Sequence, residues 1–194
     1  MVTWLMMASL SWGCDQPLCA VSVVSLDGEA LHLTPGTTPQ VVDIGPDLLL
    51  GGTVFTRHDP RHADAVTVRQ RAVSVVTLMA EGPHLDLYDG PRGRTDDTVL
   101  APTRPGVFSL APSPEGPLPF PTDDPADLHE AIRQHLGGPG PLADRWVEHV
   151  DRCTDVRSYP CAVVLGQVEL EVCAVRDGDV VACHTVALRP ALGC

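Results

Sequence analysis

This chain of 194 residues contains no lysine and no asparagine, so all thirteen of its basic residues are arginine. Without asparagine there is no acceptor for an N-linked glycan. The loss of two residues with AT-rich codons marks a GC-rich genome. Against 25 acidic residues the arginines leave a net charge of −12. Such a surface repels a polyanion, so no nucleic-acid partner is expected. There is no Cys-x-x-Cys pair, which excludes a zinc ribbon or a thioredoxin-like site. There is no His-Glu-x-x-His, no Gly-x-Ser-x-Gly elbow and no glycine-rich phosphate loop; Gly51-Gly52 and Gly137-Gly138 read as turns. The apolar N-terminus falls short of the roughly 20 residues that a transmembrane helix needs. These absences leave no catalytic residue and no cofactor to assign.

Seven cysteines are present, and their placement is uneven. Five fall between Cys153 and Cys194, while Cys14 and Cys19 follow the apolar N-terminus. That layout points to an oxidising compartment, hence to export to a bacterial cell envelope or the extracellular space. Residues 1–13 (MVTWLMMASLSWG) supply the apolar region of a signal peptide but not its basic start. Leu10-Ser11-Trp12-Gly13-Cys14 resembles a bacterial lipobox, with Trp12 and Ser11 as departures. The resemblance implies lipidation of Cys14 and a lipid anchor to a membrane, and it leaves six cysteines to pair.

Hydrophobic periodicity predicts a mainly β protein with a helical insert, α+β overall. A β-sandwich-like antiparallel body spans 14–110, a proline-rich linker 111–123, a helical hairpin 124–152 and a cysteine-rich β tail 153–194. Ala20–Leu26 is β-branched, Asp27-Gly28 is a hairpin signal, and Leu31 and Leu33 alternate beyond it. A similar run recurs at Ala72–Leu78, and Val54-Phe55 recurs as Val107-Phe108, which suggests two tandem β units. In the second unit, Val73–Leu78, the Gly82 turn, Leu85-Asp86-Leu87-Tyr88-Asp89-Gly90-Pro91 and Pro105-Gly106-Val107-Phe108 resemble the bacterial pre-peptidase C-terminal domain over about residues 39–112. That resemblance implies a small β-sandwich acting as an accessory module on a secreted protein. His84 stands near the family's second acidic position.

Asp124 and Pro125 should start a helix whose stripe is Leu128, Ile132 and Leu136, stopped by Gly137-Gly138. A second helix from Pro141 should bury Leu142, Ala143, Trp146, Val147 and Val150. In the tail, Val168–Val175 and Val180–Leu188 flank Arg176-Asp177-Gly178-Asp179. A three-residue loop, Asp177 to Asp179, would set Cys173 opposite Cys183 for a disulfide. Cys153 and Cys161 bracket a loop and can also pair, leaving Cys19 and Cys194.

The weak metal candidates are His58 and His62, spaced as HxxxH around Pro60, and His129, His135 and His149 on the helices. None has the spacing of a structural zinc site, so no metal is expected to hold the fold. Cys183 and His184 are adjacent and, in a strand, face opposite sides, which is wrong for a nucleophile and its base. The expected function is an exported binding or accessory module for a protein or small-molecule partner. The alternatives are a small metal-dependent or hydrolytic enzyme using clustered histidines, and a structural or inhibitory domain.

Overall fold

A computed structural model describes residues 15–26, 28, 30–36, 40–44, 51–79, 84–112, 118–119, 121–122, 124–152 and 161–190. The N-terminus expected to be a signal peptide, Cys14, the turn expected at Gly82, Cys153 and Cys194 lie outside the described residues.

Valine-rich runs supply most of the twelve strands found among the described residues, which pair into two sheets. The first sheet is antiparallel. It contains β1 (Leu18–Ser25), β2 (Ala30–Leu33), β4 (Gly52–His58), β9 (Pro102–Arg104) and β10 (Val107–Ser109), in the order β2-β1-β4-β10-β9. The second runs β3 (Gln40–Ile44), β12 (Asp179–Pro190), β11 (Cys161–Arg176), β5 (Ala65–Met79), β6 (His84–Asp86). β7 (Gly93–Arg94) and β8 (Thr98–Leu100) also pair with β5. The sheets share one core: Val21, Val23, Val54 and Phe108 from the first meet Val68, Val168, Leu170, Val172, Val186 and Leu188 from the second. The sandwich is therefore closed by strands from the last quarter of the chain. Residues expected as a tail are the central strands of the second sheet.

β5 and β11 are 15 and 16 residues long, twice the length of β1, and run side by side. The far ends of this pair are covered by α1 (Pro125–His135) and α2 (Pro141–Asp151). Val76, Leu78 and Cys161 meet Leu128, Ile132, Ala143, Trp146 and Val150 in a second core. The Asp124 carboxylate accepts the Ala126 N–H at 2.9 Å to start α1. The Gly138 N–H donates to the Arg133 carbonyl at 2.8 Å to end it. Leu142, expected on the buried face of α2, is 56% exposed, because α2 turns Ala143 and Trp146 inward instead.

A bulge lets β11 serve both cores. Pairing with β5 shifts between Leu165 and Gln167, so Gly166 is the extra residue. The shift flips side-chain parity: Cys161 lies opposite Leu78 and Val168 opposite Ala72. Glycine is required there, since a Cβ would lie 2.5 Å from Val75 Cγ1. The proline-rich linker is tied across β5 at both described ends. Gln70 exchanges two hydrogen bonds with Ala111, and the Ser74 hydroxyl donates to the Pro119 carbonyl.

The Val54-Phe55 and Val107-Phe108 recurrence does not mark separate units. The two dipeptides are antiparallel neighbours in one sheet, Val107 opposite Phe55 and Phe108 opposite Val54.

Cys173 and Cys183 form a disulfide across β11 and β12, with Cα atoms 4.1 Å apart. The route to that register differs from the expected three-residue loop. Arg176 pairs with Asp179, leaving a two-residue turn, with Asp177 at φ 53° and Gly178 at φ 90°. These angles suit a type I′ hairpin turn. By itself that turn would slip the cysteines by one residue, but Val181 is bulged out between the Val175–Val180 and Ala174–Ala182 pairs and restores the register. Cys19 and Cys161 are disulfide-bonded as well. Replacing Cys173 and Cys183 together by serine should cost about 2–3 kcal/mol and lower the melting temperature by about 5–10 °C. Thermal denaturation measures this; an unchanged melting temperature would mean that turn and bulge hold the register unaided.

Candidate functional site

The histidines expected to converge do not do so. His58 ends β4, and His62 lies in the turn that follows it. That turn is organised by Asp59, whose carboxylate accepts the Arg61 backbone N–H at 2.9 Å and its guanidinium at 2.5–3.1 Å. The guanidinium hydrogen bonds hold the Asp59 pKa down at about 2. On the helices, His129 Nε2 lies 2.9 Å from Asp151 Oδ1, close enough for an ion pair but not aligned as a hydrogen bond. His149 packs on Trp146 and pairs through Nδ1 with the Arg145 carbonyl. His135 is exposed. Among the described residues, one group of three has metal-ligand proximity, Glu171 with Cys173 and Cys183. Its two sulfurs are already bonded to each other.

Cys183 and His184 face opposite ways, as alternation requires. Cys183 is exposed, while His184 is buried with Nδ1 3.2 Å from the Gly36 nitrogen and 3.1 Å from its carbonyl oxygen. His184 thereby ties β12 to the segment ahead of β3.

The outer faces of the two sheets differ in how they treat charge. On the second sheet, Glu169 accepts from Arg71 Nε at 2.7 Å and from Gln167 Nε2 at 2.9 Å, with Arg94 at 3.8 Å. Arg69 pairs with Glu171 at 3.5 Å and Arg71 with Asp97 at 3.6 Å. This face neutralises itself.

The five strands of the first sheet contain no aspartate or glutamate. Its inner residues, Val21, Val23, Val54 and Phe108, are buried, so their neighbours in each strand point outward. Register aligns those neighbours into one row with a residue from every strand: His32, Ser22, Phe55, Val107, Arg104. Arg57, two residues from Phe55 on β4, lies on the same face beside Ala20. Phe55 is 36% exposed at the centre of the row. The Ser22 hydroxyl and His32 Nδ1 are 2.8 Å apart. Among the described residues, neither Arg57 nor Arg104 has an acidic partner. The row thus offers an aromatic surface, a hydroxyl–imidazole pair and two unpaired guanidiniums on a rigid support. Ser22 and His32 make a poor nucleophile and base, because the strands of this sheet hold no carboxylate to orient the imidazole.

No protein family, curated protein or solved structure matches this chain. No helix among the described residues is long and apolar enough to cross a membrane. Sequence reasoning missed the whole row. The available signal was the lack of acidic residues from β1, β2, β4, β9 and β10 in a chain that carries 25 of them.

Proposed function

We propose that this chain is an exported, non-catalytic binding or accessory module of a bacterial envelope or secreted protein, and that its ligand surface is the outer face of the first sheet. The observation that carries this is the five-strand row itself, with an exposed aromatic side chain and unpaired arginines in an otherwise acidic protein. Exposed aromatic and arginine side chains are what binding surfaces use as anchors. Disulfide bonding at Cys19, Cys161, Cys173 and Cys183 supports an oxidising compartment. A lipid anchor at Cys14, or cleavage nearer Cys19, accounts for the apolar N-terminus.

Intact-mass measurement on protein from its native host tests the export half of the proposal. The expected chain starts at Cys14 with added acyl mass, or near Cys19 without it, and carries its cysteines as disulfides. A cytoplasmic chain starting at Met1 with free thiols would falsify it.

A further inference from the structure

We infer that the outer face of the first sheet binds an acidic polysaccharide, stacking a pyranose ring on Phe55 and holding its carboxylates with Arg57 and Arg104. This rests on the reading of that face as the ligand surface, and it names the class of ligand.

Charge is the first reason. On the second sheet Arg69, Arg71 and Arg94 all stand beside carboxylates. Arg57 and Arg104 are exposed and stand on the sheet whose strands lack carboxylates. The net charge of −12 repels any polyanion at long range. A uronate chain is therefore held only by contacts within a Debye length of this patch, where guanidiniums bind carboxylates through paired N–H donors.

The second reason is which groups the face leaves free. Within the sheet the backbone N–H and C=O groups are used in the ladders. A peptide that docks by strand addition gains its affinity from main-chain bonds at a sheet edge, not on a face. A ligand on the face is read by side chains alone. Phe55 offers an apolar ring surface and Ser22 with His32 offers donors and acceptors. A pyranose has a C–H face for the ring and hydroxyls for the polar pair, and a uronate adds the carboxylate for the arginines.

Size is the third. Four strand spacings give the row a length of about 19 Å, enough for several consecutive sugar units. A nucleic acid carries more charge per unit length than a uronate chain, so the long-range repulsion opposes it more strongly and two arginines release too few counterions to offset it.

The test is electrophoresis of the full chain through gels containing polygalacturonate, alginate, neutral dextran or poly-glutamate. A single-stranded oligonucleotide is tested in parallel. Retardation by a uronate polymer is expected, weakening with salt, with none by dextran and less by poly-glutamate. Phe55→Ala and the double substitution Arg57→Ser with Arg104→Ser should each weaken binding roughly ten-fold, the loss typical of an anchor side chain. Arg57 and Arg104 are exposed, so the arginine variant should melt like the parent; Phe55 is only 36% exposed, so its variant is compared well below its own melting temperature. Equal retardation by dextran or poly-glutamate, a preference for the oligonucleotide, or no retardation at all would overturn the ligand class. Uronate binding that survives both substitutions would place the site elsewhere and remove this face from the functional proposal as well. The export measurement is independent of every one of these outcomes.

Discussion

Replacing Trp146 by alanine should cost about 3–5 kcal/mol, the range for removing a large buried aromatic side chain, and the loss should be confined to one end of the molecule. Trp146 lies in the core formed by α1, α2 and the far ends of β5 and β11, and that core shares no residue with the one between the sheets. Truncation leaves Leu128, Ile132 and Leu78 facing a cavity that the short helices cannot close. The helices are held by little else, since isolated segments of this length are marginal in water. Hydrogen exchange is the measurement. Amides of 125–151 should lose protection at denaturant concentrations where Leu170 and its neighbours keep theirs. A uniform loss along the whole chain would show that the two cores unfold as a single unit.

Removal of the Glu169 carboxylate has the next largest expected effect. Its side chain is 11% exposed and receives Arg71, Gln167 and Arg94 in the middle of the second sheet. Glu169→Ala strands Arg71, which is only 29% exposed, with Asp97 as its remaining partner. Breaking one side of a largely buried pair is far costlier than the pair's net contribution. A loss of about 2–4 kcal/mol is expected, below the full buried-pair value because Arg94 is more than half exposed. Arg71→Met combined with Glu169→Leu should cost less than the sum of the single changes. Urea denaturation of the four proteins gives the coupling. A loss under about 0.5 kcal/mol for Glu169→Ala would class the cluster with ordinary surface ion pairs.

The helices were legible because their signals are local. Asp124, Pro125 and the Leu128–Ile132 spacing lie within a few residues of one another and act within one turn. The Cys173–Cys183 pair was legible through strand alternation, yet the expected loop was one residue too long, because a bulge at Val181 leaves no mark in the sequence. The extent of β11 was hidden by Gly166, which interrupts the alternation that would have joined Cys161 to Val175. The candidate face was least legible. It takes one residue from each of five strands spread from Ser22 to Val107. The same Val-Phe dipeptide turns its phenylalanine outward at Phe55 and inward at Phe108, and only pairing decides which.

The parallel pairing of β3 with β12, Gln40 beside Val186 through Ile44 beside Pro190, bears on the order in which the chain can acquire its shape. During synthesis Leu18–Leu33 can form a local hairpin as soon as it emerges. Most of the wall opposite its apolar side, Val168, Leu170, Val172, Val186 and Leu188, has still to be made, and β3 has no neighbour until Val186–Pro190 arrives. At about 5–20 residues per second, the first strands spend on the order of ten seconds or more with their valines exposed. Pairing of this kind delays closure of the second sheet until both β3 and β12 have been made.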